Sequence, residues 1–287
     1  VRIDAHVHFW RYAPEDYGWI DGTMGAIRRD FLPDDLAPLA ARVGVEGVVA
    51  VQARQDAAET DWLLDLAARH SLIRGVVGWV DLQAPDARDA LARVARNPLL
   101  VGVRHIVQDE PDDAFLLRPG FLRGVAALAE LDLAYDILVR PRHLPVALEF
   151  VRRFPGQRFV LDHLAKPDVS RGDLAGWERG LRALAACPNV VAKMSGLVTE
   201  ADWVRWTAEE IRPCLEVAYD CFGPERLLIG SDWPVCTLAG DYARVMGVVT
   251  DFLSARPVTE QSAVLGGNAA RFWRLGTAAA NTEERAR

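Results

Sequence analysis

Residues 227–232 read Leu-Leu-Ile-Gly-Ser-Asp, an apolar run that ends in a hydroxyl and a carboxylate. A segment with no polar face suits a strand covered on both sides, as in a parallel sheet. Runs of similar character recur at 3–8 (IDAHVH), 47–53 (GVVAVQA), 74–82 (RGVVGWVDL), 100–106 (LVGVRHI), 134–140 (AYDILVR), 158–163 (RFVLDH) and 190–195 (VVAKMS). Their starts are 44, 27, 26, 34, 24, 32 and 37 residues apart. Each interval accommodates one strand, one helix and two loops. Between two of them, Leu144, Ala147, Leu148, Val151 and Phe154 form one apolar stripe, which predicts a helix over 142–154. Eight βα units predict a single (β/α)₈ barrel over residues 1–275, with 276–287 a frayed polar tail. The competing doubly wound sheet lacks its signature, because no GxGxxG follows the first strand.

The composition agrees. The chain has 287 residues, 51% of them apolar, with 33 basic against 40 acidic residues and a net charge of −7. That balance excludes a disordered or collagen-like chain. It also argues against nucleic acid or an anionic membrane as partner, since both require a positive surface. No apolar stretch is long enough for a transmembrane helix. Cys187, Cys214, Cys221 and Cys236 form no CxxC pair and read as buried thiols in a reducing compartment. The first predicted strand starts at Ile3, leaving no room for a signal peptide, so the expected location is the cytoplasm. Only two of the 33 basic residues are lysines, Lys166 and Lys193, and both fall near predicted strand ends.

Barrel chemistry sits at the C-terminal ends of the strands. There the chain places His6 and His8, Arg104 and His105, Asp136 and Arg140, Asp162 and His163, Lys193 and Ser195, and Ser231 and Asp232. His6 and His8 are two apart on one strand, so they share a face and can meet one metal ion or one substrate oxygen. Asp232 reads as a general base or metal ligand, with burial expected to raise its pKa; the competing role is a helix N-cap before Pro234. Adjacent Arg104 and His105 point to opposite faces, and Arg104 is the one expected in the lumen as a fork of donors. Lys193 is a cation on a buried strand, costly without an anion or a task. The first βα connection, 9–33, is aromatic and long enough to wall or lid the site; Trp10, Tyr12 and Trp19 are its candidate contacts with a ring, or simply loop packing. His70 and His143 fall at helical positions and are expected to be structural.

IDAHVHFW, VRPRHL, DHLAKP, LLIGSDWP and GGNAARFW occur in this order across essentially the whole chain. Together they resemble the amidohydrolase superfamily and, more narrowly, its L-fuconolactonase and L-rhamnonolactonase type of sugar lactonase. The resemblance implies a barrel that opens cyclic sugar esters with water. It makes His6 and His8 the strand-1 pair, His163 the strand-6 histidine and Asp232 the strand-8 aspartate. Metal-dependent relatives carry a strand-5 histidine, or a strand-4 lysine or glutamate bridging two metals. Asp136, Arg104 and His105 stand in those places here, which argues against a binuclear centre and for no required metal. One zinc on His6, His8 and Asp232 stays open.

The expected reaction is attack of water on an aldonolactone carbonyl. Asp232, His6, His8 and His163 are its catalytic set, and Arg104, Lys193, Lys166 and Trp10 bind the small-molecule substrate. Two alternatives remain, a zinc-dependent decarboxylase of the same superfamily and a non-catalytic sugar-binding barrel. Neither the particular sugar nor an oligomeric state is legible.

Overall fold

The computed structural model describes residues 1–276; the predicted tail lies outside the described residues from 277 onward. Eight strands form one sheet in chain order: β1 Ile3–Val7, β2 Gly47–Val51, β3 Ile73–Gly78, β4 Leu100–His105, β5 Ala134–Ile137, β6 Phe159–Leu161, β7 Val190–Met194 and β8 Leu227–Ile229. All neighbouring pairs are parallel. Just beyond the last strand, Asp232 N–H donates to His6 O at 2.9 Å and His8 N–H to Trp233 O at 2.6 Å. These two bonds bring β8 back to β1 and close the barrel.

Eight helices alternate with the strands: α1 Pro33–Arg42, α2 Ala57–Arg69, α3 Ala87–Val94, α4 Pro119–Glu130, α5 Leu144–Arg153, α6 Ala175–Ala185, α7 Ala208–Phe222 and α8 Tyr242–Leu253. In α5 the predicted stripe is buried through Leu144, Ala147 and Val151, with Phe150 joining it. Two further short helices, α9 Val258–Ser262 and α10 Asn268–Phe272, follow the eighth unit. Just past α10, Trp273 joins Ile3, Ala5, Val49, Val160 and Leu228 in an apolar cluster that fills one end of the lumen. No helix among the described residues is long and apolar enough to cross a membrane.

Several strands stop earlier than the sequence reading had them. β6 ends at Leu161 and β8 at Ile229, because His163 and Asp232 leave the ladder with φ of 51° and 61°. β1 contains an extra residue. Asp4 pairs with Val48 and Val7 with Ala50, so three steps on β1 match two on β2. Strict alternation would put Asp4 on the same face as His6 and His8. The bulge separates them. Asp4 turns outward and accepts from Tyr242 Oη at 3.0 Å, while its other oxygen accepts the backbone N–H groups of His6 and Ser231. The two histidines are left to face the lumen.

Candidate active site

The lumen changes character one rung above the apolar cluster. Lys193 of β7 is fully buried and lies 2.5 Å from Asp136 Oδ2 of β5 and 2.9 Å from Asp162 Oδ1, just past β6. Arg104 of β4 adds a third contact, Nη1 to Asp162 Oδ2 at 3.0 Å. Burial pushes the Asp162 carboxyl up, but Lys193, His6 and Arg104 together outweigh it and hold the group well below the usual carboxylate range. Asp136 shares only Lys193 at close range, and burial lifts it to about 7. Two basic and two acidic side chains thus interlock as a charged floor.

Above that floor the histidines gather round a third carboxylate. Asp232 Oδ1 lies 3.3 Å from His8 Nε2, 3.6 Å from His6 Nε2 and 3.8 Å from His163 Nε2. No arginine or lysine touches it among the described residues. Burial raises its pKa, yet the three histidines outweigh that and leave it below the ordinary range. The rise expected from burial alone is therefore reversed, and the carboxyl is ionised at neutral pH. Burial depresses His163 to about 4, and burial with Lys193 depresses His6 well below its usual value. The side chain of Asp232 faces these rings and does not cap the turn behind Pro234.

Each histidine ring is held by contacts at its nitrogens. His8 Nδ1 lies 2.8 Å from Val51 O, an acceptor only, so Nδ1 carries a proton and donates it there. Both ring nitrogens of His6 meet donors, Lys193 Nζ at 3.2 Å from Nδ1 and Arg104 Nη1 at 3.3 Å from Nε2, and Nε2 also lies 3.1 Å from His8 Nε2. His163 Nδ1 meets Ser195 Oγ at 2.8 Å.

Ligand atoms of His6, His8 and Asp232 lie within 4.8 Å of one another, as do those of His6, Asp162 and His163. Asp162 is already matched by two cations, so the first group is the better cation site. His8 presents Nε2 there, with its other nitrogen fixed on a carbonyl, as is usual for metal-ligating histidines. His6 can offer Nε2 with its proton on Nδ1, where Asp162 Oδ1 lies 3.4 Å away. The donor set fits one divalent ion.

His163 is held in an unusual loop. His163, Leu164, Ala165 and Lys166 all have positive φ, between 51° and 61°, with no glycine among them. Such residues cost of order 1–3 kcal/mol each and persist only where surroundings impose them. Here Trp177 Nε1–H donates to Leu164 O at 2.6 Å and Lys166 N–H to His163 O at 2.8 Å. Gly196, at φ 63°, completes the fit, because a Cβ there would stand 2.5 Å from His163 Nδ1.

A cavity of about 520 Å³ opens over this group, with His8, Arg104, His163 and Asp232 at one end and Lys166, Arg140, Glu200 and Trp203 also in its walls. Four sequence assignments change. Lys193 does not line the cavity; it is sealed beneath His6 as part of the floor. His6 likewise lies under the surface that a substrate would touch. Trp10 is packed among Tyr17, Trp19 and Phe31 with its Nε1–H on Arg29 O, and from the first loop it is Trp19 and Met24 that line the wall. Arg104 does face the cavity, but each of its three nitrogens already donates within the protein, to Gln52 and Asp162. It supplies positive potential more than free donors.

His105 turns away and stacks on Phe115, with Nε2 2.7 Å from Glu110. His143 is buried against Asp113 and His70 closes α2, both structural positions. Of the four cysteines, all free, Cys214 and Cys236 are buried as expected, while Cys187 and Cys221 are partly exposed. The sequence reading passed over Gln52, although a lone amide at the end of GVVAVQA was a visible signal. It quoted Asp162 without giving it a role, and nothing in the sequence singled out Glu200.

A barrel with this strand-1 histidine pair, strand-6 histidine and strand-8 aspartate defines a class, and comparison with known proteins agrees. The amidohydrolase family model matches residues 3–275, and the chain belongs to that family. It is 46% identical to an L-fucono-1,5-lactonase of Burkholderia multivorans and 43% identical to one of Burkholderia ambifaria, covering 96% of each chain in both cases. A crystal structure of a Burkholderia multivorans amidohydrolase with bound zinc superposes with a TM-score of 0.93 at 46% identity, over 96% of this chain and all of that one.

Proposed function

We propose that the protein hydrolyses a sugar aldonolactone to the aldonic acid, with L-fucono-1,5-lactone as the first candidate substrate. The observation that carries the mechanism is Asp232, a buried carboxylate free of any permanent cation at the end of the cavity. The two lactonase relatives support the substrate class.

In this reading Asp232 takes a proton from water as the oxygen attacks the ring carbonyl. The carbonyl oxygen gains charge facing Arg104, whose fixed positive potential stabilises it without spending a donor. As the ring C–O bond breaks, the proton on Asp232 passes to the leaving alkoxide, and the acid then ionises. His163, pinned by Ser195 and the left-handed turn, orients the lactone beside Asp232. Held by His6, His8 and Asp232, a zinc ion would supply Lewis-acid polarisation of an oxygen.

The test is Asp232→Asn, followed by a pH-indicator assay with and without chelator. The expected loss in kcat is about 10²–10⁴-fold with the fold intact. Retention of wild-type turnover in this variant would overturn the role of Asp232. Chelation that abolishes wild-type activity, with zinc restoring it, would make the ion a requirement. No turnover on any lactone would overturn the reaction itself.

A further inference from the structure

The two ends of the cavity differ in how far their polar groups are already satisfied. At the Asp232 end, Arg104 has a protein acceptor for each nitrogen, His8 is tied to Val51, and His163 to Ser195. At the other end stand Lys166, Arg140 and Glu200. Lys166 Nζ is 3.3 Å from Glu200 Oε1, and Arg140 Nη1 is 4.0 Å from Glu200 Oε2. These are charge contacts, and none meets hydrogen-bond geometry. Lys166 and Glu200 are only 17% and 16% exposed, so the pair is held inside the wall and not spread over the surface. Gln108, which also lines the cavity, buries an Oε1 with no partner.

We propose that Glu200, flanked by Lys166 and Arg140, is the specificity-determining residue that reads the hydroxyls of the lactone ring. The inference rests on the lactonase reading above and goes a step beyond it. A hydroxyl both donates and accepts, and a carboxylate beside two cations offers both complements at once. Lys166 and His163 are the two ends of one left-handed turn, joined by the Lys166 N–H bond to His163 O. The turn therefore sets the distance between the reacting carbonyl and the hydroxyls being read. Trp203 fixes the other side, with its Nε1–H on Thr199 O at 2.9 Å in the loop that carries Glu200. Glu200 also closes a wall, since it lines both this cavity and a groove of about 1040 Å³ along α5 and α6.

The experiment compares wild type, Glu200→Gln and Glu200→Ala on L-fucono-1,5-lactone and on δ-valerolactone, a six-membered lactone with no hydroxyl. Glu200→Ala is expected to lower kcat/KM on the sugar lactone by roughly 10- to 100-fold, the effect of losing a hydrogen bond to a charged group. Turnover of δ-valerolactone stays within about 3-fold, because it never used that bond. Glu200→Gln, which keeps shape and an acceptor, retains a larger share. An equal fall on both lactones, or none on either, overturns the proposal while leaving the lactonase reading in place. Absence of wild-type turnover on both overturns the two together. A thermal melt of each variant shows that the comparison is made on folded protein.

Discussion

The two halves of the barrel lumen are built on the same eight strands, yet they solve opposite problems. Toward the N-terminal ends, Ile3, Val49, Val160 and Leu228 meet the plug formed by Trp273, and the contact is apolar. One rung higher, Lys193, Asp136, Asp162 and Arg104 are just as deeply buried and are all ionisable. Lys193 marks the boundary, with its ammonium 5.4 Å from the centre of the Trp273 ring and its opposite side on the carboxylates. Apolar burial stabilises by removing surface from water. A buried ion pair holds positions at a high desolvation cost, and its stability depends on every partner being present. The lower half is built for stability, and the upper half fixes His6, and through it His8, beneath Asp232.

Lys193→Met disturbs the charged layer most directly. It leaves Asp136 and Asp162 facing each other with one cation fewer, and the expected loss is about 3–5 kcal/mol in urea unfolding. Adding Asp136→Asn to that variant should recover a good part, because the surplus charge goes with the carboxyl. Below the boundary, Leu228→Ala opens a cavity and should cost about 2–5 kcal/mol. No second substitution of the charged layer restores that loss, and kcat of the folded enzyme stays at the wild-type level. If the Lys193→Met and Asp136→Asn pair proves no more stable than Lys193→Met alone, the upper layer is not held by charge balance.

The fold was legible because eight apolar runs at βα spacing admit few other arrangements. Strand ends also showed which residue types converge, so the grouping of His6, His8 and His163 around Asp232 was legible from position. What stayed hidden was depth. Lys193 and Asp232 both read as polar residues at strand ends, but β7 places its lysine a rung lower, and only the barrel's curvature brings it under His6. Likewise, nothing in Asp162-His163-Leu164-Ala165-Lys166 announces a left-handed turn, since that conformation normally calls for glycine. The partners Gln52 and Arg104 lie 52 residues apart, a pairing set by strand tilt and not by spacing.

A carboxylate outside the lumen sharpens the lesson about charge. Glu59 of α2 is buried with dipoles in place of a close cation: it accepts the N–H groups of Ala53 and Arg54 and the hydroxyl of Tyr17. Burial lifts it to about 7 from an ordinary 4.5, whereas Asp162, with two cations in contact, moves the other way. Between those two pH values the folded chain keeps a proton on Glu59 that the unfolded chain has released. Stability therefore falls as pH rises through that window, by up to about 3 kcal/mol, and the penalty is complete above the folded pKa. Glu59→Gln cannot titrate, so its stability measured by urea unfolding should gain on the wild type steadily across the same window. Parallel curves for the two proteins would mean that the backbone N–H groups alone keep Glu59 ionised, and that a buried carboxylate in this fold needs no cation to hold its charge.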